Sequence, residues 1–328
     1  MTRRWIWIAS IAAAGAWPGG CSCSSSIRLV DSTPHVRTDP AAGAGQLPRP
    51  LETDGRLRVK AVLFTDIPES GIVLDEAVIV EGDSVEIELA GESSLDLIAV
   101  HDGETTLELT MGDAEQEAIV EVATPQTVSI TPAALAGIPS SQWPSSVTMV
   151  AGSAALFERE AADDAGRLLT GATAITWDVD GDATVEPIDD APALVRVVAG
   201  SSRFRLSVDD AELEVAVVNE TEVVALQMWR EETGWLADGQ SVTVAPAAAM
   251  SVFVVPVTAD GDAVVGVPDT WSIALDSPMW TSGLNSTCDG IECPARRASI
   301  YAELEPQSRG TGTVTLGPLS ATFGAIVQ

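Results

Sequence analysis

From residue 55 onward, apolar and polar positions alternate in short runs: Leu57-Val59-Ala61-Leu63, Val85-Ile87-Leu89, Leu107-Leu109, residues 119–122, Phe204-Leu206-Val208 and Leu213-Val215-Val217. A period of two sends one row of side chains into a core and the other into water, as in strands of sheets wetted on one face. Almost no stretch keeps an uninterrupted helical period, so the expectation is an all-β protein. Asp102-Gly103, Asp164-Ala165-Gly166, Gly181 between Asp180 and Asp182, and Gly261 between Asp260 and Asp262 punctuate the runs. Asp and Gly accept the positive φ of tight turns, so these predict hairpins. The pattern restarts twice, after Thr124-Pro125 and after Asn219-Glu220-Thr221. Those restarts predict tandem β-sandwich domains over 56–124, 126–219 and 221–328. The first is short for a complete sandwich of about 100 residues.

The chain opens differently. Residues 1–4 carry two arginines, residues 5–17 carry no charge, and small residues follow. This is the three-part plan of a secretory signal, too short to span a bilayer. Pro18-Gly19-Gly20-Cys21 resembles a lipoprotein box, in which the cysteine is acylated and becomes the new N-terminus. Ala14-Gly15-Ala16 offers ordinary cleavage instead, and Arg3-Arg4 before Trp5-Ile6-Trp7 resembles a twin-arginine export signal. The expectation is a signal over 1–20, lipid on Cys21, and a flexible linker over 21–55, rich in Ser, Pro, Ala and Gly. Ser22 after the cysteine, rather than an acid, resembles the sorting pattern for an outer-membrane or cell-surface lipoprotein; a secreted or periplasmic protein is the alternative.

The middle segment resembles the bacterial Ig-like group 2 family. An opening strand ends at Pro132, Gly152 precedes the strand begun by Ala154-Leu156, Asp164-Ala165-Gly166 marks a hairpin, and Ile175-Thr176-Trp177 carries a core tryptophan. Thr184-Val185 and Gly200 before Phe204-Leu206-Val208 complete the order, with an insertion over 133–146. The last segment follows the plan more loosely, through Val252-Val254, Asp260-Gly261, Trp271, Gly312-Thr313-Val314 and a closing strand over 321–327, with its own insertion over 278–297. The resemblance implies a surface-exposed module used in adhesion or as a spacer, not a chemistry.

Charge removes one class of partner. Forty-eight acids against seventeen bases give a net charge of -31, which repels the phosphates that nucleic-acid binding depends on. Cys288 and Cys293 flank a four-residue loop containing Asp289-Gly290, and export to an oxidising compartment predicts a disulfide between them. Asp178, Asp180 and Asp182 begin a run over 178–189 with the oxygen spacing of a calcium loop. Ala183 stands where such a loop needs glycine, and Asp189 where it needs a bidentate glutamate. A hairpin is the plainer reading, and no metal or cofactor is expected. His101 sits alone beside a turn, His35 lies in the linker, and paired acids such as Asp163-Asp164 and Asp189-Asp190 carry no information in so acidic a chain.

Tryptophans are the remaining candidates. Trp177 and Trp271 fit core positions. Trp143 and Trp280 lie in the insertions and Trp229 and Trp235 flank the charged 230–232, so these four are the candidates for stacking on a sugar or a protein partner. The leading functional expectation is a non-enzymatic, envelope-anchored adhesive or spacer protein, its partner an envelope protein or polysaccharide and its only membrane contact the lipid. The alternative is a glycan- or calcium-dependent binding protein using the tryptophan-bearing insertions. The remote alternative is a carboxylate-dependent hydrolase.

Overall fold

The computed structural model describes residues 26–31, 47, 49–64, 74–91, 93–144, 146–172, 175–188, 191–244, 249–276, 281–285, 297–301 and 309–327. Within them the protein is all-β, with only short 3-10 turns.

The first module comprises β1 (Ser26–Asp31), β2 (Leu51–Glu52), β3 (Arg56–Phe64), β4 (Glu76–Glu81), β5 (Val85–Gly91), β6 (Ser94–Ala99), β7 (Gly103–Met111) and β8 (Ala114–Ala123). Its sheets run β1-β3-β6-β5 and β2-β8-β7-β4. Between them are buried Ile27, Leu57, Leu95, Leu97, Leu107 and Leu109. This is the immunoglobulin strand order, ABED facing CFG, with the opening strand divided between sheets. β1 pairs antiparallel with β3, and β2 pairs parallel with β8. The short segment thus becomes a complete sandwich by recruiting two strands from the stretch whose composition reads as linker. Ile27 and Leu29 alternate and are buried, a period of two too brief to stand out among Ser and Pro.

The second module comprises β9 (Thr127–Pro132), β10 (Val147–Val150), β11 (Ala154–Ala162), β12 (Trp177–Pro187), β13 (Leu194–Val208) and β14 (Ala211–Val218). Again the opening strand divides: β9 pairs antiparallel with β11, and β10 parallel with β14. Two long strands link the β9-β11 end of this sheet to the β10-β14 end. The first half of β13 pairs with β11 and the second with β14, while β12 accompanies it along most of its length. The 178–189 run is therefore largely one strand and not a hairpin. Gly181 does use a positive φ of 118°, but for a bulge where the register shifts between Gly181 and Ala183. Bulges bend and twist a strand, and this one separates the part of β12 paired with 204–208 from the part paired with 195–199.

The third module comprises β15 (Val223–Arg230), β16 (Gly234–Leu236), β17 (Ser241–Val244), β18 (Ala249–Thr258), β19 (Ala263–Gly266), β20 (Ile273–Asp276), β21 (Thr281–Asn285), β22 (Arg297–Tyr301), β23 (Arg309–Leu316) and β24 (Leu319–Val327). It repeats the plan of the first module: β15-β18-β22-β21 on one side and β17-β24-β23-β20 on the other, with β17 parallel to β24. β16, which pairs with β15, is one addition, and β19 is the other. It leaves the Gly261 turn and lies parallel beside β10 of the second module, so one sheet runs from β9 to β16.

Candidate functional site

The junction between the second and third modules is built by the 133–146 insertion. Pro132 and Pro139 each precede a 3-10 turn, Ala133–Leu135 and Ser140–Gln142; a fixed φ near −65° pre-sets such a start. Leu135 and Ile138 are completely buried in a core shared by both modules, with Phe157 and Phe204 from one and Trp229, Phe253 and Val255 from the other. Gly137 adopts φ 88°, and a Cβ there would stand 2.6 Å from Cζ of Phe253. The insertion must be glycine at that point for the phenyl ring to pack.

Three of the four candidate tryptophans converge on this loop. Trp229 is 2% exposed and meets Phe253 edge-on, centroids 5.5 Å apart. Its Nε1 donates to Gln142 Oε1 at 2.7 Å. Trp235, directly opposite Trp229 across the β15–β16 pair, donates its Nε1 to the Gln142 carbonyl at 2.9 Å. Trp143 donates to the Ile138 carbonyl at 2.7 Å, closing the loop on itself. Trp143 and Trp235 are half-buried against the shared core. All three indole N–H groups are thus satisfied within the chain. Trp271 closes the other side of the junction: its Nε1 donates to Glu220 at 2.8 Å and its ring packs on Val150, Val223, Val264 and Val267. Trp177 packs half-buried against the shared core. Nothing in the sequence pairs Gln142 with the two tryptophans some ninety positions away.

The junction between the first and second modules is ionic. Arg159, buried on β11, donates both terminal nitrogens to Glu52 at 2.8 Å each and Nε to Asp209 at 2.6 Å. Burial works against its charge, yet these hydrogen bonds hold its pKa above the ordinary arginine value. Arg167 makes the same fork on Glu121, at 2.7 and 2.5 Å, and donates Nε to Asp163. Paired forks of this kind are the strong form of charge-assisted hydrogen bond. The backbones also join, through Glu52 N to Thr170 O at 2.8 Å and Arg56 N to Gly171 O at 2.6 Å. Asp163, an anonymous acid in sequence, orders the 164–166 turn by accepting from the backbone N–H groups of Ala165 and Arg167.

The remaining candidates are scattered. Asp182 accepts from Ser201 N at 2.6 Å and Ser201 Oγ at 2.9 Å, and the backbone bond from Ser201 lowers its pKa. Asp180 stands opposite Arg205, and Asp178 opposite Ser207. Among the described residues no three His, Cys, Asp or Glu are grouped to hold a metal ion. His101 lies in its turn, Nε2 3.2 Å from Asp83, and its pKa is raised by the hydrogen bond to the Asp102 carbonyl and by Asp83. An open cleft of about 460 Å³ is lined by Asp180, Arg203, Arg205 and Glu214, with Arg205 donating to Glu214 at 3.1 Å. Cys21, Cys288, Cys293, Trp280, Asp189 and Asp190 lie outside the described residues, as does His35. No described helix is long and apolar enough to cross a membrane.

No protein-family model and no curated protein matches the chain. Solved structures similar to it include domains 4–9 of the surface-layer protein SbsC, at 14% identity and TM-score 0.31 over 92% of this chain and 47% of that one. Invasin, a bacterial integrin-binding protein, aligns at 12% identity and TM-score 0.26, over 92% and 59%. FdeC, an Escherichia coli adhesin, aligns at 13% and 0.23, over 93% and 96%. The chain spans about half of the SbsC fragment.

Proposed function

We propose that the chain is a non-catalytic surface protein, held to the envelope by lipid on Cys21, whose three sandwiches form a spacer or adhesive stalk. The observation that carries this reading is the investment in the junctions. A buried arginine fork holds the first and second modules together, and a continuous sheet with a shared tryptophan core holds the second and third. Flexibly strung domains need neither, whereas a spacer that holds something at a set distance needs both. Gly20-Cys21-Ser22 directly after the apolar leader supports the anchor. The tryptophans serve the stalk in this reading, because their polar edges are spent on Gln142, Ile138 and Glu220.

The test is fractionation of whole cells with accessibility of the chain to externally added protease. The native protein should sediment with membranes and be cleaved from outside. Cys21→Ser should appear in the soluble fraction with its mass reduced by the lipid. Unchanged sedimentation and mass in that variant, or complete protection from external protease, would overturn the reading.

A further inference from the structure

In all three modules the strand by which the chain enters one sheet lies parallel to the strand by which it leaves. The pairs are β2 with β8, β10 with β14, and β17 with β24. Tension along the chain pulls the N-terminal end of the first strand against the C-terminal end of the second. In a parallel pair these are opposite ends, so the load slides one strand along the other and strains every ladder bond at once. An antiparallel hairpin pulled at its open end instead loses its bonds one by one.

The middle pair is reinforced. β10 carries a parallel partner on each side, Val147↔Val215 to Val150↔Val218 on β14, and Val147↔Ala263 onward on β19. Val147, Thr148, Met149 and Val150 are all buried, so water does not reach these bonds to replace them as they stretch. β19 belongs to the third module, and load arriving at β10 therefore passes into it directly as well as through the 219–222 connection.

We propose that the chain is a load-bearing tether, with β10 as its mechanical clasp. The proposal rests on the envelope-stalk reading only for the source of the force; the resistance is a property of the folded chain. Forced unfolding is governed by the unfolding rate along the direction pulled, so the test compares two directions in one protein without altering a buried strand. The chain without residues 1–20 is stretched by optical tweezers, first with handles at its two ends, then with handles at positions 151 and 221. Those two positions follow β10 and β14 at the same end of the pair, and pulling there peels the strands apart. At equal loading rate the end-to-end geometry should require a severalfold higher force to open the second module. Equal forces in the two geometries would overturn the proposal and leave the membrane anchor untouched, while a soluble native protein would remove the anchor and leave this result standing.

Discussion

Gln142 offers its side-chain oxygen to Trp229 and its backbone carbonyl to Trp235, so truncating the side chain removes one of these bonds and spares the other. The Trp229 indole is then left buried with an unpaired N–H, which costs about 1–3 kcal/mol. Gln142→Ala should lower the thermal midpoint and shift the tryptophan emission, whereas Gln142→Glu, which keeps an acceptor, should retain most of the stability. Asp96 supplies a second test. It accepts from Arg58 at 2.7 and 2.9 Å and from Arg56 at 2.6 Å. The Arg58 hydrogen bonds, then the one from Arg56, lower its pKa from 3.8 to about 2. A carboxylate depressed in the folded state binds its proton more weakly there than when unfolded. Its contribution is therefore complete above pH 4 or so and is lost as the pH falls toward about 2. Acid titration of stability should show that loss in the native protein and a smaller one in Asp96→Asn. The tryptophans were conspicuous in sequence as candidates for contact; their acceptors were not, because a backbone carbonyl and one glutamine leave no pattern.

At the scale of elements, Gly181 marks where sequence and structure diverge. A glycine between two aspartates reads as a turn, and the residue does take positive φ, but its neighbours on β13 are too close for a turn to fit. A Cβ would lie 2.8 Å from both the Arg203 carbonyl and Phe204 Cα. Gly181→Ala should therefore cost about 1–3 kcal/mol for the backbone conformation alone. In urea unfolding it should lower the midpoint without changing the slope. The alternating runs over 57–63, 85–89, 107–109, 204–208 and 213–217 were legible because polar positions alternate with apolar ones, and all lie in strands, although Leu89 ends its run exposed. β1 and β2 were not legible: one is six residues long and the other two. Their register comes from strands far along the chain. β19 was hidden for the same reason, since its partner β10 lies in another module.

Across the whole molecule the strand plan recurs while the junctions differ, and the difference predicts how the protein melts. The second and third modules share a core, Ile138, Phe157 and Val197 touching the same cluster as Trp229 and Val255, and they share a sheet through β10 and β19. The third module also has a core of its own, around Val252, Val254, Val314 and Phe323, but the second module cannot lose the shared core without stripping the other face of β15 and β18, so residues 127–327 should unfold in one cooperative transition, with calorimetric and van't Hoff enthalpies equal for that unit. The first module keeps a separate core and meets the second through Arg159 with Glu52, Arg167 with Glu121 and the backbone bonds to Thr170 and Gly171. It should unfold as a distinct step coupled by those pairs. Glu52→Gln keeps the shape but removes the buried negative charge, weakening the charge-assisted fork on Arg159. Scanning calorimetry should then show the first-module transition moved to lower temperature, with the 127–327 transition in place. Gln142→Ala should do the reverse. If both substitutions shift one common transition by similar amounts, the three modules melt as a single body, and the ionic junction couples as tightly as the shared core.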